Sequence, residues 1–343
     1  MPNIMLTDRC NLKCPYCFAN EFVNKATNEI TKENFLKAID FLFKDGSCRD
    51  VGLIGGEPTL HKQFRDLLQL VINDTRIPSI TIYTNGLLLN NFWDEMQNEK
   101  IYVLVNCNAP KDMGESRYRR LCDNISYMVE KLHMKHRVAL GINIYNSNFE
   151  YDYMLKLLEK NQFQNVRVSI TVPNTSESIL PEAKEYFLIY KKRVHTFFLE
   201  LLNRNIIPFY DCNKLPFCFL TEEEKQQYVQ FESIMDTQPY DKSDIRSEVV
   251  QCSPVIDILQ DLTAVRCFGL SQSTKVKISD FENLTDLKNY YRWSIDDLAY
   301  HREIMPECKN CYEYKTKKCM GGCIVFKLNK ILALRQMINQ NNV

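Results

Sequence analysis

Three cysteines stand within eight residues of each other near the start of the chain, as Cys10-x3-Cys14-x2-Cys17. Thiolates are soft ligands suited to iron–sulfur clusters and zinc. Three of them on a cubane cluster leave one iron without a protein ligand, whereas a closed electron-transfer cluster takes four. An open iron can chelate a small molecule, so the spacing fits chemistry as well as electron transfer. Taken alone, it also fits a zinc knuckle or an incidental cysteine loop.

Other chemistry-bearing runs follow. Gly55-Gly56-Glu57-Pro58 combines glycines, which let backbone approach a ligand closely, with a carboxylate that can accept from an ammonium. Thr84-Asn85-Gly86, Asn106-Cys107-Asn108, Asn143 with Asn146, and Ser169 with Thr171 add polar groups at intervals. Near the carboxyl end, Cys308-x2-Cys311-x7-Cys319-x3-Cys323 encloses Met320-Gly321-Gly322. Upstream of it lie the pairs Cys212-x5-Cys218 and Cys252-x14-Cys267. Four thiolates suit zinc and a four-iron cluster equally, so spacing leaves the metal of this region open. Cys48, Cys107 and Cys122 stand apart and are expected as small apolar core residues.

The elements that must position these residues alternate. Strand-like runs fall at Asn3–Thr7, Val51–Ile54, Ser79–Tyr83, Ile101–Val105, Val138–Ile144 and Val166–Val172. Helical patterns fall near 32–44, 62–73, 91–98, 116–134, 151–161 and 181–203. Such alternation predicts an α/β fold with a parallel sheet and right-handed crossovers. Six βα units fall short of the eight of a full barrel, so a partial (β/α)6 barrel is expected. Every polar run named above, from Cys10 to Thr171, then falls just past or near a strand's carboxyl end, where parallel barrels keep their chemistry. Past about residue 205 the alternation stops, giving an expected division into a barrel at 1–205, a cysteine-rich auxiliary-cluster domain at 206–329 and a tail at 330–343, read as a short helix from Lys327.

In that order and context, Cys10-x3-Cys14-x2-Cys17, with Tyr16 before the last cysteine, resembles the signature of the radical S-adenosylmethionine superfamily. The resemblance implies a four-iron cluster whose open iron binds the cofactor's amino and carboxylate groups. It implies reductive cleavage to a 5′-deoxyadenosyl radical that abstracts a substrate hydrogen. Gly55, Gly56, Glu57 and Pro58 match the segment that holds the cofactor's amino group, and Thr84 and Asn85 an element near its ribose and methionine. Tyr16, Asn106, Asn143 and Ser169 complete the expected cofactor site. Arg117 is the expected carboxylate partner, with Arg119 and Arg120 on the same helix.

The carboxyl-terminal cysteines resemble a SPASM or twitch-type auxiliary domain, which implies one or two further four-iron clusters held by Cys212, Cys218, Cys252, Cys267, Cys308, Cys311, Cys319 and Cys323. Two departures stand out: Leu262 replaces a glycine, and no cysteine follows Cys323. Phe268 occupies the position of the aspartate base of sulfatase-maturing relatives. Relatives of this type modify peptides by crosslinking, epimerisation or oxidation; a small metabolite in natural-product or cofactor biosynthesis is the alternative. With Cys10 so early there is no room for an amino-terminal recognition domain, which leaves open a leader-binding partner in trans or a small-molecule substrate. A reductant such as flavodoxin or ferredoxin would supply the electron.

The bulk numbers set the remaining bounds. Among 343 residues, 43 Lys and Arg balance 43 Asp and Glu, so no global field points to nucleic acid or a membrane surface. No signal-peptide pattern opens the chain, and no apolar run has the length of a spanning helix. Fourteen cysteines without a secretion signal fit a reducing, cytoplasmic setting and metal ligation rather than disulfides.

Overall fold

The computed structural model describes residues 1–172, 182–210, 213, 215–227, 252–271, 273–301 and 305–328. The chain forms two compact units that interleave along the sequence. The first comprises Met1–Ile142, Asp152–Gln162 and Pro254–Tyr291; the second comprises Asn143–Tyr151, Phe163–Ser253 and Arg292–Val343.

The expected alternation is present. Strands β1 (Asn3–Met5), β2 (Asp50–Ile54), β3 (Ser79–Thr84), β4 (Ile101–Asn106) and β5 (Val138–Ile144) run parallel, each paired with the next. Between them lie α1 (Lys32–Phe43), α2 (Phe64–Asn73), α3 (Trp93–Met96), α4 (Pro110–Met113) and α5 (Glu115–Glu130), with α6 (Asp152–Lys160) after β5. Val51, Leu53 and Ile54 of β2 are buried in succession, as a strand covered on both faces requires. Helix α2 buries Phe64, Leu67, Leu68 and Val71, one helical stripe. Thr31 caps α1, its Oγ1 accepting from the Asn34 amide at 3.1 Å.

The second unit holds β6 (Asn165–Ile170), α7 (Ala183–Leu202) and β7 (Ile207–Tyr210), the last pairing parallel with β6. The alternation therefore continues one strand beyond the expected stop. The chain then returns to the first unit as β8 (Asp257–Ile258), β9 (Thr263–Val265) and β10 (Val276–Lys277). Strand β8 pairs parallel with β1, and β9 and β10 follow antiparallel, so the first unit's sheet runs β10-β9-β8-β1-β2-β3-β4-β5. Cys212 and the tail from residue 329 lie outside the described residues. Among the described residues no helix is long and apolar enough to cross a membrane.

Candidate functional site

The triad loop leaves β1 and is clamped at its base by backbone. The Gly56 amide donates to Thr7 O and the Glu57 amide to Arg9 O, both at 2.8 Å, so the turn after β2 grips the chain entering the loop. Gly56 is required at this crossing: a Cβ there would sit 2.5 Å from the Arg9 carbonyl oxygen. The far side closes where Asn24 brackets Cys10, its Oδ1 accepting from the Cys10 amide at 2.9 Å and its Nδ2 donating to the Cys10 carbonyl at 3.2 Å.

Two donors already aim at the sulfurs: the Leu12 amide at Cys10 Sγ, 3.4 Å, and Asn108 Nδ2 at Cys14 Sγ, 3.2 Å. The Tyr16 hydroxyl bonds Asn108 Oδ1, tying the loop to the segment after β4. Burial pushes the Cys10 thiol up to about 12 and Cys17 to about 11, with mutual repulsion of the triad adding to both. Burial also raises Cys14, against the bonds from Asn108 and Tyr16. Thiols held like this stay protonated unless a metal draws the proton off. Three half-buried thiols with sulfur-directed donors fit the cluster that the motif implies. Among the described residues no three donors converge on a single-ion site.

Glu57 lies under the loop, 1% exposed. Its Oε1 accepts from the Thr59 amide (3.2 Å), the Thr59 hydroxyl (2.6 Å) and the Thr84 hydroxyl (2.7 Å), and its Oε2 from the Asn85 amide (2.8 Å). Burial raises its pKa and these four bonds oppose the rise. The carboxylate thus locks the carboxyl ends of β2 and β3 together, and Oε2 keeps acceptor capacity beyond its one bond to the chain. Asn85 Nδ2 reaches Asn11 Oδ1 at 2.7 Å, a link from β3 to the triad loop.

The structure thus joins Cys10, Cys14, Cys17, Tyr16, Gly56, Glu57, Thr84 and Asn85 in one bonded assembly; Gly55 and Pro58 flank it in the same turn, and Asn106 ends β4. Arg117, Arg119 and Arg120 are exposed on α5, outside this assembly. Asn143 and Ser169 belong to the second unit, where Asn143 Oδ1 accepts from the Arg167 guanidinium at 2.7 Å and Ser169 is buried. Cys48 and Cys107 are buried as expected, while Cys122 is half-buried. Sequence reading passed over Asn11 and Asn24 and gave Asn108 no ligand-supporting role; their only signal is an amide side chain close to a cysteine in sequence or just past a strand.

Phe268, where an aspartate base was considered, packs in the core beside Cys17, its ring 5.2 Å from Phe18 and 5.8 Å from Phe22. Next to it, Cys267 Sγ stands 4.0 Å from the fully buried Arg266 guanidinium. In the second unit, Cys308 and Cys319 are buried, and the Gly321 amide donates to Cys319 Sγ at 3.2 Å. The Cys252 amide donates to Met320 Sδ at 3.3 Å.

Residues 4–150, which hold this whole assembly, match the family model of the Radical SAM superfamily. These residues are similar to that superfamily over less than half of the chain. The GTP 3′,8-cyclase of Shewanella denitrificans is 25% identical over 134 residues, 37% of this chain and 40% of the cyclase. The chain thus spans less than half the length of that relative. Streptococcus suis SuiB bound to S-adenosylmethionine has the same fold, with a TM-score of 0.61 at 19% identity, covering 94% of this chain and 72% of SuiB. SuiB bound to its precursor peptide SuiA gives 0.59 at 17%, covering 94% and 71%. The chain is therefore an α/β protein whose amino-terminal triad, Glu57, Thr84 and Asn85 gather within the stretch that matches the Radical SAM model.

Proposed function

We propose that the chain modifies a peptide by radical chemistry, with Cys10, Cys14 and Cys17 holding the cluster and the turns at Gly55–Pro58 and Thr84–Asn85 receiving S-adenosylmethionine. When bound, these groups supply a 5′-deoxyadenosyl radical able to abstract hydrogen. The chain's own part is to hold the thiols, shield them by burial and present an anionic acceptor at Glu57. The observation that carries the peptide reading is the extent of fold likeness: SuiB, solved with a precursor peptide, matches over 94% of this chain. The cysteine-rich part at 206–329 is proposed as a SPASM-like auxiliary domain, with a flavodoxin- or ferredoxin-type reductant and a separate leader-binding protein as partners in a cytoplasmic setting.

A second reading, a nucleotide or other small metabolite, is favoured by the cyclase match. That match covers 37% of this chain, against 94% for SuiB. Two measurements test the proposal. Replacing Cys10, Cys14 and Cys17 by Ala abolishes 5′-deoxyadenosine formation under dithionite; persistence overturns the cluster assignment. Stimulation of 5′-deoxyadenosine formation by GTP, with a mass change on the nucleotide and none on co-expressed peptides, overturns the peptide reading.

A further inference from the structure

The stretch that follows the triad folds back on itself in tight turns. The Asn20 amide donates to the Cys17 carbonyl at 3.2 Å, and the Phe22 and Val23 amides to the Ala19 carbonyl at 2.8 and 2.9 Å. Ala19 is thereby buried with Met5, Ile54 and Phe268, while Phe22 and Val23 pack on that core only in part, beside Cys17. Phe18, directly after Cys17, stays outside and is 59% exposed. Phe18 and Phe22 both lie against Phe268, with ring centroids at 5.2 and 5.8 Å. Single exposed apolar residues are ordinary, but a contiguous apolar surface marks an interaction site. This one adjoins a thiol of the triad.

Free charge around it has one sign. Lys275 Nζ stands 5.2 Å from the Phe22 ring centroid, and the Lys25 amide donates to the Phe22 carbonyl at 3.3 Å. Both lysines are exposed, as is Lys13 on the triad loop. The nearby carboxylates are held inward: Glu29 pairs with Arg9 at 3.0 Å, and half-buried Glu21 accepts from the Ser271 hydroxyl. From Asn24 to Asn28 every residue is exposed and none is acidic. All of these residues belong to the first unit.

An aromatic centre with a charged rim is the anatomy of a protein–protein interface. A cationic rim steers and selects an acidic partner. The cluster that the triad fits needs one electron from outside, and a carrier seated on Phe18 comes against a cluster ligand, Cys17.

We propose that Phe18, Phe22, Lys25 and Lys275 form the docking face for an acidic one-electron carrier protein that reduces the triad's cluster. The step is a single electron transfer: the carrier loses one electron, the cluster gains it, and no bond forms or breaks. This rests on reading the chain as a radical enzyme reduced by such a carrier. The test uses the full chain, purified anaerobically with its iron, and an acidic flavodoxin as the probe. Binding is read by surface plasmon resonance over a salt series, and 5′-deoxyadenosine formation is compared with reduced flavodoxin and with dithionite. The double variant Lys25→Glu, Lys275→Glu should weaken flavodoxin binding about tenfold at low salt and flatten its salt dependence. Phe18→Ser should weaken binding at every salt concentration. In both, flavodoxin-driven formation should fall at sub-saturating flavodoxin, while dithionite-driven formation and iron content stay as in the parent, which separates docking from folding. The double variant Lys25→Arg, Lys275→Arg should keep binding. Equal flavodoxin affinity in the parent and all variants overturns the docking face. So does a parent dimer in sedimentation that Phe18→Ser dissolves, since the face then belongs to a second copy. A parent chain that works with dithionite but neither binds flavodoxin nor is reduced by it overturns the carrier reading itself.

Discussion

At the scale of single residues, Glu57 has the most tasks in the site. It lies wholly inside the protein, takes four hydrogen bonds from β2 and β3 turns, and keeps acceptor capacity on Oε2. Glu57→Gln puts an NH2 group where only donors point. It should lower unfolding stability by roughly 1.5–3 kcal/mol, the range for charged hydrogen bonds, measured by urea titration. It should also weaken S-adenosylmethionine binding by about one to two orders of magnitude by calorimetry. Loss of stability with unchanged binding would make Glu57 a brace for the two turns alone. The carboxylate was legible in the sequence because it stands in a glycine turn after a strand. Its bonds to Thr84 and Asn85 were not, because they depend on register between two strands. Asn108 and Asn24 were hidden because an amide that supports a cysteine, at its sulfur for Asn108 and at its backbone for Asn24, looks like any other loop asparagine.

At the scale of elements, the barrel strands were readable because each is a short apolar run bounded by polar turns, and helices of the right period separate them. Strands β8, β9 and β10 were not, since two or three residues carry no periodicity. Strand β7 was missed because Ile207–Tyr210 contains Pro208 and borders the cysteine-rich stretch. The turn after β2 supports a sharp prediction. Gly56→Ala drives a methyl toward the Arg9 backbone, which cannot rotate away as a side chain would. Overpacking of this kind costs about 1–3 kcal/mol. Here it should loosen the clamp on the triad loop, so the variant should bind about four irons fewer per chain after anaerobic reconstitution, measured by iron analysis and visible absorbance. Full iron content in Gly56→Ala would show that the loop does not need this clamp.

At the scale of the whole molecule, the two compact units interleave along the chain and follow contacts that sequence order does not reveal. Asp257, in the segment that returns to the first unit, is fully buried, and burial raises its pKa to about 7 although Asn3 Nδ2 donates to it at 2.7 Å. A carboxyl whose folded pKa is raised stabilises the fold below its unfolded pKa, near 4, and loses that contribution as pH rises through about 7. Urea midpoints of the wild type should therefore fall between pH 5 and pH 8 by an amount equivalent to at most about 3 kcal/mol. Asp257→Asn should remove most of that slope, and an equal slope in both proteins would place the titration elsewhere. The same return segment has a consequence for biosynthesis. Strand β1 is made some 250 residues before its partner β8, with Asn3 facing Asp257. At about 5–20 residues per second, a nascent chain waits tens of seconds with one side of β1 open. An open strand edge invites other strands, so a ribosome-released fragment ending before Pro254 should sediment as aggregate while the full chain stays in the supernatant.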